Sequence, residues 1–335
     1  MPAKNKNIFV IGDLVIDHTI YVSIESERRS HLNIGVPIYQ VLRRLDTAGG
    51  AANCARILSV LNAGHTFLWG LIGKSHWGSF RSILERCQLI DGAHSNIKFR
   101  GVQDETGAQM NTITRLLVPE SGPSFDPPSP VVRFDDYGHV HISEDKRNTV
   151  LHYLERVHLK YNLDGIVLDD LDMNCLKVDM VKKVADFAAK HGIPLFVNPK
   201  HEKDKYKDIK GRAIIPSLTE WCHLVGQSER LMYWRDNLDR EQSLREMAEL
   251  SFENLGNFDY HIIECGKHGS VLIAPHPDKL DRYAVYRADP HVTQVNNPSP
   301  HFGCGDVLTA IFAMEFSEKR QGAKTEEALD AFRRA

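Results

Sequence analysis

The chain contains a glycine-rich turn that ends in an aspartate and leads into an apolar stretch. Residues 303–306 read Gly-Cys-Gly-Asp, and the apolar run Val307–Met314 follows. The first backbone N–H groups of a helix have no partner within the helix, and the helix dipole adds positive potential there. Glycines let an anionic ligand approach this backbone closely. The segment therefore has the composition of an anion cradle with a carboxylate at its mouth.

A carboxylate beside an anion site needs a chemical reason, because it repels a bound phosphate. One reason is general base catalysis, in which Asp306 takes the proton from a hydroxyl group that attacks the phosphate. The alternative is structural, since an aspartate at a helix N-terminus is favoured by the dipole and the glycines merely turn the chain. The motif alone favours the structural alternative.

Polar groups and glycine turns follow several predicted strands. The first buried strand, Ile8–Ile11, is followed by Asp13 and Asp17. Further groups of this kind are Gly49, Gly50 and Asn53, then Asn198 and Lys200, then Ser217 and Glu220, and finally Gly266 and Gly269. Each is typical of a turn or a helix cap when taken singly. Because parallel strands end at the same edge of a sheet, their convergence favours a binding or catalytic site.

Alternating strands and helices after Thr149 predict an α/β fold with a mainly parallel sheet. The predicted strands Gly165–Leu168 and Ile193–Val197, for example, flank an amphipathic helix at Val178–His191. Two other stretches, about 18–45 and 96–143, alternate as half-exposed strands do. We expect these two stretches to pair with each other as a small β subdomain.

Composition and missing motifs exclude several classes of function. A net charge of -3 argues against a nucleic-acid partner, and no apolar run is long enough to span a membrane. The six cysteines are scattered without a C-x-x-C pair, which is typical of reduced thiols, and the start of the chain is too polar for a signal peptide. We therefore expect a cytoplasmic protein. No G-x-G-x-x-G follows the first strand, so a dinucleotide-binding site lacks its fingerprint.

The order of the motifs resembles that of the ribokinase-like (PfkB) carbohydrate kinases. The motifs are G-D-x-x-x-D, G-G-A-A-N, N-P-K, P-x-x-x-E, G-x-x-G and G-x-G-D, and the match covers nearly the whole chain. Within the family it most resembles the bacterial heptose 7-phosphate kinases. The resemblance implies a ribokinase-like three-layer sandwich, with a single kinase domain over 1–335 and a lid formed by the two β stretches. No H-x-G-H motif occurs, so we expect no nucleotidyltransferase domain.

The resemblance also implies roles for individual residues, with ATP and Mg²⁺ as cofactors. Asp306 would be the catalytic base, and the backbone amides of Gly303, Cys304 and Gly305 would form the anion hole. Substrate would be bound by Asp13, Asp17, Gly49, Gly50, Asn53 and Arg115. Nucleotide would be bound by Asn198, Lys200, Ser217, Glu220, Glu264, Gly266 and Gly269, with Glu220 contacting Mg²⁺ indirectly. The lid often makes a dimer contact in this family, so we expect a homodimer.

The implied reaction is phosphorylation of heptose 7-phosphate to heptose 1,7-bisphosphate. A clamp for the sugar phosphate is available in Arg28, Arg29, Arg43, Arg115 and Lys200. The chain departs from the family pattern at Pro300, Phe302, Cys304, Asn198, Ser217 and Glu264. Two alternatives therefore stay open: a kinase for another sugar or nucleoside, and a non-catalytic relative that binds a sugar or nucleotide.

Overall fold

Short apolar runs that are buried on both faces form the strands of a large sheet, as expected for strands covered by helices. The computed structural model describes residues 5–24, 39–61, 64–89, 96–104, 109–118, 129–137, 143–276, 283–288, 304–317 and 332. The strands are β1 Ile8–Gly12, β2 Leu14–Ile24, β3 Tyr39–Gly50, β4 Thr66–Ile72, β5 Ile97–Gln103, β6 Thr112–Val118, β7 Ser129–Asp136, β8 Gly165–Asp169, β9 Leu195–Asn198, β10 Gly211–Ile214, β11 Phe258–Glu264, β12 Ser270–Pro275 and β13 Tyr283–Ala288. The helices are α1 Ala51–Leu61, α2 Trp77–Leu89, α3 Glu144–Tyr161, α4 Val178–His191, α5 Leu218–Leu224, α6 Leu231–Asp236, α7 Glu241–Leu255 and α8 Cys304–Phe316.

The large sheet has the strand order β13-β12-β11-β10-β9-β8-β1-β4-β5 in the described part of the chain. The strands from β11 to β5 run parallel, and β12 and β13 add an antiparallel edge. Register pairs place Gly12 beside Asp169, and Asp169 beside Asn198. The carboxyl ends of these central strands therefore lie side by side.

Helices cover both faces of this sheet, so the fold has three layers. In β1, Phe9 and Ile11 point into a core that is shared with α3 to α7. Ile8 and Val10, which alternate with them, point into the opposite core, where α1, α2 and α8 pack. Period-2 alternation in one strand thus supplies both cores. The α/β fold class predicted from the sequence is confirmed.

A second, smaller sheet has the strand order β3-β2-β6-β7. It stands at the carboxyl end of β1, because β2 begins two residues after β1 ends and β3 leads directly into α1. One part of the sequence-based prediction is wrong here. Strand β5, which lies within the stretch 96–143, pairs in parallel with β4 in the large sheet, so the described residues of that stretch supply β6 and β7 to the small sheet but not β5.

Helix α1 packs against α8 through small side chains. Ala51, Ala52, Cys54 and Ala55 are all fully buried, and their size allows the two helices to approach closely. The N-terminal turns of α1 and α8 are thereby brought together. None of the described helices is both long and apolar enough to cross a bilayer. The described cysteines Cys54, Cys175, Cys222 and Cys265 are buried free thiols, as their scatter along the chain predicted.

Candidate active site

Asp306 lies in the first turn of α8, and its carboxylate is held by the first turn of α1. Asn53 Nδ2 donates a hydrogen bond of 2.7 Å to Asp306 Oδ2, and Arg56 donates one of 3.1 Å to Asn53 Oδ1. Burial raises the pKa of Asp306 to about 6; the Asn53 hydrogen bond and the Lys200 charge oppose this increase, and the Asp17 charge adds to it. A carboxylate with this pKa is ionised at neutral pH yet basic enough to accept a proton.

The small sheet carries several of the residues that were predicted to bind substrate. Asp17 on β2 forms an ion pair with the buried guanidinium of Arg115 on β6. A side chain at Gly49 would collide with the Asp17 carboxylate, so glycine is required there to leave this acid in place. Gly50 has φ +58°, in the left-handed region that favours glycine, at the junction of β3 and α1. These residues were predicted to bind substrate, and the structure places them next to the Asp306–Asn53 pair.

Asp13 has a different environment from Asp17. Its carboxylate is 1% exposed and accepts backbone N–H bonds of 2.9, 3.1 and 3.0 Å from Leu171, Met173 and Cys175. Burial and the charge of Asp170 raise the pKa of Asp13 to about 6, although the three backbone hydrogen bonds lower it. Asp13 therefore stabilises the conformation of the loop after β8 through these hydrogen bonds. Both carboxylate oxygens accept these backbone bonds, and the substrate contact that the resemblance implied for Asp13 stays a prediction.

Lys200 and Glu220, which were both predicted to bind nucleotide, form an ion pair. Glu220 also closes a capping box at the start of α5, where its Oε2 accepts the Ser217 N–H at 2.8 Å and the Ser217 hydroxyl accepts the Glu220 N–H at 3.3 Å. Burial lowers the pKa of Lys200, but Glu220, Asp169 and Asp306 raise it overall. Lys200 thus stays protonated and faces the acidic centre of the site, where it would attract a phosphate.

Asp169 is a site residue that the sequence-based reasoning missed. It ends β8, is fully buried and accepts a 3.0 Å hydrogen bond from Asn198 Nδ2, while Oδ2 has no hydrogen-bond partner among the described residues. Burial first, and then the charge of Asp306, raise its pKa well above the ordinary value. Asp169 therefore holds its proton more strongly than an ordinary aspartate does. The signal in the sequence was an aspartate at a strand exit, the same signal that identified Asp13.

A buried ion network was also not predicted. Lys205 is 1% exposed, and its Nζ lies 2.7 Å from Asp170 and 2.9 Å from Glu202. The Tyr206 hydroxyl donates to Asp170 and accepts the Lys200 N–H at 3.4 Å. The network therefore links the loop after β8 to the backbone of Lys200.

Glu264, Gly266 and Gly269 lie at or just after the end of β11. Gly266 and Gly269 both have positive φ, in an exposed to half-buried turn, and no described contact joins either of them to Asp306. Glu264 reaches α8, since a Cβ built on Gly305 would lie 3.3 Å from its Oε2. The remaining predicted residues, Arg28, Arg29, Pro300, Phe302 and Gly303, lie outside the described residues, and of Cys304 only the backbone is described.

The arrangement places the Asp306 carboxylate, the N-terminal turn of α8 and the half-buried Lys200 cation around one sheet edge. No three His, Cys, Asp or Glu side chains come together as a metal-binding cluster within the described ranges. Both oxygens of Glu220 are engaged by protein donors, so the donor set fits a Mg²⁺ ion that is held mainly by phosphate and water oxygens. Glu220 would then contact the ion through water.

No protein-family model matches the chain. The chain is 27% identical over 223 residues to the bifunctional protein HldE of Helicobacter pylori (strain J99), which covers 64% of this chain and 42% of that protein. It is 26% identical over 325 residues to the bifunctional protein HldE of Haemophilus influenzae (strain KW20), or 95% of this chain and 57% of that protein. The chain thus spans about half the length of these curated relatives.

Two solved structures of sugar kinases have the same architecture. Phosphofructokinase-2 from Escherichia coli, in complex with fructose-6-phosphate, superposes with a TM-score of 0.67 at 14% identity, over 95% of this chain and 88% of that one. A carbohydrate kinase from Agrobacterium tumefaciens superposes with a TM-score of 0.60 at 15% identity, over 98% and 88% of the two chains. The protein therefore has the ribokinase-like fold and is a relative of the HldE proteins, as the motif order predicted.

Proposed function

We propose that the protein transfers the γ-phosphoryl group of ATP to a hydroxyl of a sugar or sugar phosphate, with Asp306 as the general base. The observation that carries the proposal is the position of the Asp306 carboxylate. It lies in the first turn of α8, is held by Asn53 at 2.7 Å, and has a pKa of about 6. A base is thus placed beside the N–H groups that can stabilise phosphate charge.

The other residues have consistent roles in such a reaction. Asp17, held by Arg115, and the close-packed Gly49 backbone would bind sugar hydroxyls. Lys200 would bind phosphate oxygens, and Glu220 would keep Lys200 in place. Mg²⁺, when bound, neutralises charge on the phosphates. Because catalysis of phosphoryl transfer is mostly positioning and electrostatics, charged and hydrogen-bonding residues of this kind suit the chemistry.

Heptose 7-phosphate is the substrate that we propose, with transfer to the anomeric hydroxyl. Its support is the motif resemblance to heptose 7-phosphate kinases together with the similarity to HldE over 95% of the chain. Arg115 and Lys200 are both engaged in ion pairs, and Arg43 is exposed on β3. A phosphate on the sugar would therefore compete with Asp17 or Glu220 for these cations.

A thermal-shift panel of sugar phosphates tests the proposed substrate class. We expect heptose 7-phosphate to raise the melting temperature, and Mg·ATP to raise it as well, because a ligand that binds only the folded state stabilises it by mass action. If a hexose phosphate or a nucleoside raised the melting temperature more than heptose 7-phosphate does, that compound would be the better candidate for the substrate. Shifts with ligands but no ADP release from ATP would instead identify a non-catalytic binding protein.

The small sheet supports a further prediction about the oligomeric state of the protein. In the described part of the chain β3 is an edge strand, and its Val41 and Leu42 side chains are 45% and 56% exposed. An exposed edge with apolar side chains is a template for pairing with another strand, and we propose that a second copy of the chain covers it.

Replacing Leu42 by Glu is expected to convert the dimer into a monomer, because the charge would be buried against the second copy. Size-exclusion chromatography with light scattering measures the mass directly. Leu159→Glu is the matched control, because Leu159 on α3 is 79% exposed and lies outside the lid. A wild-type monomer, or a dimer that survives Leu42→Glu, would contradict the proposed interface.

A further inference from the structure

Glu264 is fixed at a position where its side chain meets the anion-binding end of α8. Its backbone N–H donates to the Pro216 carbonyl at 2.9 Å, and its backbone forms a parallel bridge with Ser217, just before α5. The side chain extends to the first turn of α8, where a Cβ on Gly305 would be 3.3 Å from Glu264 Oε2. The carboxyl group thus lies beside the first turn of α8, whose N–H groups have no partner within the helix and would bind a phosphate.

The surroundings of this carboxyl group are mostly acidic. Glu220 on α5 and Asp306 on α8 face it with negative charge, while Lys200 is the facing cation and is already paired with Glu220. Cys265, the next residue, is buried with its own pKa raised to about 12, so it is neutral. Burial first, then Glu220 and Asp306, raise the pKa of Glu264 to about 7, although Lys200 opposes them.

We propose that Glu264 binds a phosphate oxygen of the nucleotide as a neutral carboxylic acid, and that ionised Glu264 weakens nucleotide binding. A protonated carboxyl group donates one O–H, whereas a carboxylate only accepts hydrogen bonds and repels phosphate. An ionised Glu264 would also compete with phosphate for the N–H groups of α8, which favour any anion. The proposal rests on the proposed kinase function, because it concerns the nucleotide of that reaction.

The proposal predicts a pH-dependent affinity that depends on a single side chain. Isothermal titration with Mg²⁺ and the non-hydrolysable analogue AMP-PNP, at pH 6, 7 and 8, would measure it. We expect the dissociation constant of the wild-type protein to rise about tenfold between pH 6 and pH 8, as for a site that binds only when one group is protonated. Glu264→Gln keeps an N–H donor at every pH. We therefore expect its dissociation constant to rise about tenfold less than that of the wild-type protein, which means that it stays nearly constant between pH 6 and pH 8.

Glu253→Gln is the matched control, because Glu253 is exposed on α7 and should behave as wild type. The terminal phosphate of the analogue also titrates near neutral pH, but it does so equally with all three proteins, so their difference isolates Glu264. Binding with the same pH dependence in wild type and Glu264→Gln would overturn the proposal and leave the kinase function standing. Failure of every variant to bind the nucleotide at any pH would overturn the kinase function and, with it, this proposal.

Unfolding of the ligand-free protein gives a second readout that does not depend on nucleotide. Since the folded chain raises the pKa of Glu264 from 4.5 to about 7, its stabilising contribution is present below pH 4.5 and is lost as the pH rises through about 7. The melting temperature of wild type should therefore fall between pH 5 and pH 8 relative to that of Glu264→Gln. Parallel curves for the two proteins would show that Glu264 is not protonated in the fold and would overturn the proposal.

Discussion

Asp306→Asn is expected to lower kcat by about a thousandfold, because general bases typically contribute 10²–10⁴-fold to a rate. Asparagine keeps the size of the side chain and can still accept the Asn53 hydrogen bond through its amide oxygen, so the fold and the affinity for sugar should change little. Steady-state ADP release with saturating sugar phosphate would measure the loss. Equal decreases in kcat and kcat/KM are expected, since the proton transfer occurs only in the transition state.

Asp186→Asn provides the control for this variant, because Asp186 is an exposed aspartate on α4, which packs on the face of the large sheet opposite to α8. The wild-type enzyme should also show an acidic limb in kcat/KM near pH 6, where Asp306 becomes protonated. Its activity should fall about tenfold per pH unit below that value. An Asp306→Asn variant with more than about a tenth of wild-type activity would exceed the residual expected after loss of a general base, and would remove Asp306 from its catalytic role.

Lys205→Met is expected to cause the largest loss of stability, about 3–5 kcal/mol, because it leaves a buried charge without its partner. Lys205 and Asp170 are 1% and 0% exposed, and their side chains are 2.7 Å apart. Burial lowers the pKa of Lys205, yet Asp170, Glu202 and Asp172 raise it overall, so Lys205 is protonated in the fold. Urea unfolding at pH 7, followed by circular dichroism, would give the change in free energy of unfolding.

Two companion variants separate this ion pair from general effects of mutation. Lys207→Met removes an exposed lysine two residues away and should change stability by less than about 0.5 kcal/mol. The double variant Lys205→Met with Asp170→Asn removes both charges and should recover part of the loss, which a double-mutant cycle quantifies. A Lys205→Met protein as stable as wild type would show that the buried pair contributes nothing.

The elements that position the site were predictable because they depend on local patterns. Buried apolar runs followed by polar residues located the ends of β1, β8, β9 and β11, and parallel strands bring such ends to one edge. Sequence reasoning therefore predicted the sheet edge on which Asp306, Asn53 and Lys200 lie.

Pairings between distant segments were not predictable from local patterns. Alternating residues in β5 are compatible with either sheet, and only the partner strand decides between them. A lysine such as Lys205 is normally a solvated side chain, and its burial depends on Asp170, which comes from a different segment. For the same reason the sequence could not show that Asp13 binds a loop backbone while Asp17, four residues later, faces Arg115.

The most direct test of phosphoryl transfer from ATP to a sugar hydroxyl is phosphorus-31 NMR of the wild-type protein with Mg·ATP and heptose 7-phosphate. We expect a new glycosyl phosphate resonance that grows in step with ADP, and no such resonance with Asp306→Asn on the same timescale. Phosphoryl transfer to a sugar would be contradicted if the wild-type protein formed no new sugar phosphate from heptose 7-phosphate or any other sugar. It would also be contradicted if the protein released ADP and inorganic phosphate at the same rate without sugar.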